Sequence, residues 1–226
     1  MREPAELLQS LGRLARGLSA LFWLLPLALI AEVETARTAL FFALGPWAFV
    51  PAVVLNAALL FALTQLRPFQ PQERIWQNAL TRSEALALID TGLAPFVFWW
   101  HRFPTIPFYA MSVGLLALSN LLFLIQMNST LKRLAAMIPD ETVRTETNAF
   151  GSVNVWMLGA VFLGLATWFA AWRFPWLPWP MRRFLEAARD HGLWIVVYLT
   201  ILPLAITMAL VWKIKEVVFA GIFARR

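Results

Sequence analysis

Two apolar runs, residues 108–127 and 150–172, stand on either side of a polar connector. The connector opens Asn128-Ser129-Thr130 and closes Glu146-Thr147-Asn148. An α-helix rises 1.5 Å per residue, so about 20 apolar residues cross a hydrocarbon layer of about 30 Å. Both runs meet that length, and they read as a membrane hairpin with a charged elbow. Three more runs of the same length follow from the pattern, at about 14–33, 47–66 and 193–212. The chain is 60% hydrophobic and 14% charged, against about 25% charged residues in soluble domains. The fold class is therefore all-α: a polytopic integral membrane protein of five or six transmembrane helices, with interfacial amphipathic helices and no soluble domain.

The first span begins amphipathic. Leu7, Leu11, Leu14, Leu18 and Leu21 follow a 4-3-4-3 spacing that lines one helix face. Arg16 and Glu32 fall near opposite ends of the span, and Pro26 is expected to bend it. No small-residue cleavage pattern follows, so the segment reads as a retained span. Gly45-Pro46 breaks the chain before the second span, because Gly suits a helix end and Pro cannot continue one. Asn56 in that span is expected to bond to a neighbouring helix.

Residues 67–107 allow two readings. Thr81-Arg82-Ser83-Glu84 fits a capping box that opens a helix. The run 85–100 is apolar except for Asp90 and Thr91, and Gly92 and Pro95 interrupt it. An aspartate in the bilayer centre costs about 2.5–3.5 kcal/mol on the insertion scale. Length and Asp90 together favour a helix lying in the interface or re-entering, with Phe96, Phe98, Trp99 and Trp100 in the aromatic belt. Asp90 is expected to cap or break the helix before Gly92. The alternative is a sixth span. Charge counting favours it: six spans put 13 of the 19 Lys and Arg on the N-terminal side, and five put 11 there.

Beyond the first hairpin run, Leu131, Leu134 and Ile138 keep helical spacing, so the helix continues past the bilayer. Pro139-Asp140-Glu141 stops it and starts the next, since acids suit a helix N-terminus. The elbow, with Arg144 beyond it, reads as a projecting helical hairpin that docks a partner. Residues 174–180 alternate Pro and Trp and read as an extended interfacial strip. Residues 181–191 read as a short amphipathic helix and the tail from 213 as a basic surface helix.

Ser112, Ser119, Gln126 and Arg133 recur every seven residues on one hairpin helix. The first three read as a helix–helix packing face or a polar path, met by Ala160 and Gly164 on the partner helix. The two histidines, His101 and His191, fall on one membrane side in either topology. They are the only candidates for ligating a cofactor, and no metal-binding spacing accompanies them. The expectation is that there is no cofactor and no metal. The chain has no cysteine, which removes disulfides, iron–sulfur clusters and covalent c-type haem. Of the carboxylates, only Asp90 lies inside an apolar run.

No catalytic motif is present. The leading expectation is a non-catalytic accessory or scaffold subunit, or an assembly factor, of a larger membrane complex. The alternative is a small transporter or channel that uses the Ser112/Ser119/Gln126 face. Expected partners are membrane lipids, including anionic head groups, and proteins of a membrane complex. The excess of Lys and Arg sits at span ends and so points away from nucleic acid. Arg-rich span ends and small size suggest the bacterial inner membrane.

Overall fold

A computed structural model describes the backbone of residues 4–37, 42–173 and 192–223, and the side chains of 9–37, 44–167 and 197–220. The described chain is helical. Its helices are α1 (Pro4–Arg37), α2 (Val50–Thr64), α3 (Arg74–Leu93), α4 (Pro95–Arg102), α5 (Pro107–Ala136), α6 (Glu141–Arg173) and α7 (Gly192–Phe223). Five segments are long and apolar enough to cross a membrane: Gln9–Arg37, Leu44–Phe69, Pro107–Ala136, Glu141–Thr167 and Val197–Ala220. The protein is a multi-pass membrane protein.

The helices close into a ring in the order α1, α2, α3–α4, α5, α6, α7 and back to α1. Neighbours run antiparallel. Glu32 near the end of α1 meets Asn56 near the start of α2, and Gly17 lies against Ala62 and Leu66 at the other end of α2. Asn128 meets Asn154 between α5 and α6, and Asn154 meets Thr207 between α6 and α7. Phe22 and Trp212 close the ring between α1 and α7, with ring centroids 5.1 Å apart.

One pattern builds most of this core. The 4-3-4-3 face of α1 continues through Leu14, Leu18, Leu21, Leu25 and Ala28, all buried. Ala52, Asn56, Leu59, Leu63 and Leu66 repeat it on α2. On α3 and α4 the buried series is Trp76, Leu80, Ser83, Ala87, Asp90, Ala94 and Val97, unbroken across Pro95. On α7 it is Leu204, Thr207, Val211, Ile214 and Val218. A seven-residue seam keeps one face toward its neighbours along a gently supercoiled antiparallel bundle. Lipid is as apolar as leucine, so van der Waals fit and hydrogen bonds hold such seams together.

Three expectations change here. First, the helix over residues 67–107 does not open at a capping box at Thr81. It begins at Arg74, where Glu73 accepts the Trp76 backbone N–H at 2.6 Å. Glu84 is engaged elsewhere, taking Arg67 Nε at 2.7 Å. Second, Gly92 is helical, and the change of direction comes at Leu93–Pro95. α3 and α4 together lie along α5 from end to end. Arg133 on α5 reaches Glu73 at 3.1 Å, and Phe96 meets Phe108 at the opposite end with ring centroids 5.6 Å apart. Third, the elbow does not project alone. Leu131, Leu134 and Val143 are buried in one cluster with Ile214 and Val218 of α7. Lys213 of α7 pairs with Glu146 beside it.

The break at Gly45-Pro46 is present, with Gly45 at φ 55°, the left-handed region that glycine tolerates. Pro26 sits inside α1 without ending it. The Pro–Trp strip at 174–180 and the helix expected at 181–191 lie outside the described residues.

Candidate functional site

The densest polar feature inside the ring is built on Glu32. Asn56 Nδ2 donates to Glu32 Oε1 at 2.9 Å, and Asn120 Nδ2 donates to Glu32 Oε2 at 2.7 Å. Three helices, α1, α2 and α5, each supply one member. Asn56 also donates to the Ala52 carbonyl at 3.0 Å, which spends both of its N–H groups. Among the described residues, no hydrogen bond reaches the Asn56 or Asn120 amide oxygen, and no cation pairs with Glu32. The cluster therefore presents mainly oxygen acceptors, with one Asn120 N–H beside them.

Those acceptors face a cavity of about 130 Å³. Its walls are mainly apolar, with Leu25, Leu29, Leu59, Val97, Leu116 and Leu204 prominent, and Glu32, Asn56, Asn120 and Thr200 supply the polar points. The cavity occupies the half of the ring where α1 ends and α5 begins. The opposite half is filled by Leu14, Leu18, Leu63, Leu66, Trp76, Leu131 and Leu134, all fully buried.

Asp90 sits one helix away on α3. It is 1% exposed. Ser119 on α5 is its polar neighbour, yet neither Asp90 Oδ1 nor Ser119 Oγ completes a hydrogen bond. Asp90 does not break its helix as expected, because the Ala94 N–H bonds the Asp90 carbonyl at 2.9 Å in regular helical fashion. Two carboxyl groups thus lie inside one bundle, with no cation paired to either among the described residues.

The expected polar path divides. Ser112 donates to the Phe108 carbonyl of its own helix at 2.9 Å. Ser119 turns to Asp90. Gln126 donates to the Ala79 carbonyl on α3 at 3.2 Å. The stripe therefore looks toward α3, and the face of α5 that lines the cavity is Val113, Leu116, Ala117, Asn120 and Leu124. Pro139 lies in the turn between α5 and α6. Asp140 Oδ1 accepts the Val143 N–H at 3.0 Å, as a helix start requires. Glu141 pairs with Arg144 at 3.2 Å. His101 Nδ1 lies 2.9 Å from the Ala36 carbonyl and ties the end of α4 to the end of α1. His191 lies outside the described residues.

A second network joins α5, α6 and α7. Asn154 Nδ2 donates to Asn128 Oδ1 at 3.0 Å, to Thr207 Oγ1 at 2.9 Å and to the Pro203 carbonyl at 2.9 Å. Asn128 Nδ2 donates to Thr207 Oγ1 at 2.8 Å. All three side chains are buried. They do not line the Glu32 cavity, and they serve as helix-to-helix adhesive. Asn56 is legible in the sequence as an interhelical residue, whereas no local pattern marks Asn120, Asn154 or Thr207. Comparison with protein-family models, curated proteins and solved structures finds no match to this chain.

Proposed function

We propose that the protein is a small membrane carrier that takes an apolar, amine-bearing cation into the Glu32 cavity. The observation behind this reading is a cluster of acceptor oxygens at Glu32, Asn56 and Asn120 with no cation paired to Glu32 among the described residues. A primary ammonium offers three N–H donors and one positive charge, which match acceptor oxygens beside a carboxyl group that has no cation. The size also fits. Cavities near 150 Å³ with apolar walls accept a benzene ring, and about 130 Å³ suits a short alkyl or single-ring body. An ionisable group at this depth marks an ion or substrate pathway more often than a structural site. The filled half of the ring opposite the cavity is what a carrier caught with access from one side requires.

The accessory-subunit reading relies on the elbow at Pro139, Asp140 and Glu141. That surface is a single turn whose flanking helices pack on α7, which leaves little to dock on. We also propose that α3 and α4 form a sixth crossing, because they occupy one place in a ring of membrane helices. The bacterial inner membrane remains the proposed location.

The test is counterflow in proteoliposomes. Vesicles preloaded with unlabelled benzylamine are expected to take up labelled benzylamine faster than protein-free vesicles. Uptake equal to that of protein-free vesicles would reject the carrier reading.

A further inference from the structure

We propose that the groove between α3 and α5, at the end of the bundle that holds the α5–α6 turn, binds the head group of a negatively charged phospholipid. The groove encloses about 530 Å³ and is lined by Ile75, Asn78, Arg82, Gln126, Lys132 and Arg133 among others. Its charge is not cancelled from within. Arg133 is held by Glu73, and the other nearby acid, Glu84, is held by Arg67. Arg82 is exposed and makes no side-chain bond among the described residues. Lys132 spends one N–H on the neutral Ser152 hydroxyl at 2.7 Å. Two cations with no acid partner among the described residues therefore line the groove, Arg82 beside the Asn78 amide on α3 and Lys132 on α5.

The surroundings favour a lipid over a free anion. Moving from Lys132 toward the start of α5, Ser129 is exposed first, followed by the exposed large apolar residues Leu122, Leu115, Met111 and Phe108. Moving from Arg82 along α3, the exposed large apolar residues are Leu88 and Ile89. The helices are antiparallel, so both series run the same way, from the cations into the apolar belt. The groove thus offers a charged head position continuous with an exposed apolar rail for an acyl chain. The same end of the bundle carries Arg67, Arg74, Arg144 and Lys213. This is the side that the positive-inside rule assigns to the anionic inner leaflet. The inference does not depend on the carrier reading, since no groove residue touches the Glu32 cavity.

A Lys or Arg at an anionic surface contributes about 1 kcal/mol, or about fivefold in affinity. The experiment is native mass spectrometry of the full chain in neutral detergent, titrated with dioleoylphosphatidylglycerol or with dioleoylphosphatidylcholine, which has the same acyl chains. The anionic lipid is expected to bind at least about fivefold more tightly. Arg82→Gln and Lys132→Gln are each expected to lower its affinity about fivefold, and Arg82→Lys to restore most of it. Arg144→Gln, on the same side but outside the groove, is expected to leave it unchanged. Circular dichroism confirms that each variant is folded before titration. Equal affinity for the two lipids would overturn the proposal. So would Arg82→Gln and Lys132→Gln variants that bind like the native protein. Displacement of the lipid by 10 mM inorganic phosphate would assign the groove to soluble anions and overturn it as well.

Discussion

Asn120 Nδ2 on α5 donates to Glu32 Oε2 on α1 at 2.7 Å, across a sequence separation of 88 residues. That bond and its counterpart from Asn56 hold an acid in a cavity lined mainly by aliphatic side chains. A purely structural hydrogen bond between helices needs only two neutral partners, as Ser83 and Thr130 show at 3.1 Å between α3 and α5. Glu32 is instead an ionisable group with no cation paired to it among the described residues. The Glu32 cluster therefore calls for a function, whereas the Asn128–Asn154–Thr207 network is accounted for by adhesion.

The α1–α2 contact depends on Gly17. A Cβ placed there would lie 2.4 Å from Leu66 Cδ1 and 2.9 Å from the Ala62 carbonyl oxygen. Gly17→Ala is expected to destabilise the bundle by about 1–3 kcal/mol, the usual range for overpacking. Gly12 on the same helix has open space around it. Gly12→Ala is expected to be neutral or to stabilise by up to about 1 kcal/mol through helix propensity. Reversible unfolding in mixed micelles compares the two.

Asn154 and Thr207 are expected to be energetically coupled. Interhelical hydrogen bonds in membrane proteins average about 0.6 kcal/mol and reach about 1.7 kcal/mol. A double-mutant cycle of Asn154→Ala with Thr207→Val, followed by the same unfolding assay, is expected to give a coupling in that range. A coupling of zero would show that the network does not hold α6 to α7.

The placement of α3 and α4 is open to a simple chemical measurement. A single cysteine introduced at Asn78 lies near the start of α3, and one at Pro104 follows α4. The native chain has no cysteine to interfere. An impermeant thiol reagent is expected to reach the two from opposite membrane faces. Labelling from the same face would return α3–α4 to the interface and remove the sixth crossing.

Much of this architecture is legible in the sequence. Five spans follow from length and apolarity alone. The 4-3-4-3 series seen at Leu7, Leu11, Leu14, Leu18 and Leu21 was the better clue, because carrying it forward gives Leu25, Ala28, Glu32 and Thr35. Glu32 thus falls on the buried face, not at a span edge. Asn56 lies in the matching series on α2, and Asp90 in the one on α3. Hydropathy hides this, since a window average registers how polar Asp90 and Arg82 are and not that Asp90 is buried while Arg82 is exposed. Asn120 escaped notice because the heptad stripe Ser112, Ser119 and Gln126 lies one residue away, about 100° around the helix. The partners of each polar group depend on which helices become neighbours. That follows from the closure of the ring, which local periodicity does not specify.

The most direct test of the central claim is equilibrium binding of labelled benzylamine to the native protein and to Glu32→Gln, both in nanodiscs at pH 7. Hydrogen bonds to a charged group contribute about 1.5–3 kcal/mol, which corresponds to tenfold or more. Saturable binding at one site per chain is expected, weakened at least about tenfold by Glu32→Gln and not displaced by benzyl alcohol. Equal binding by Glu32→Gln, or full displacement by benzyl alcohol at the same concentration, would contradict the assignment of the cavity to a cation.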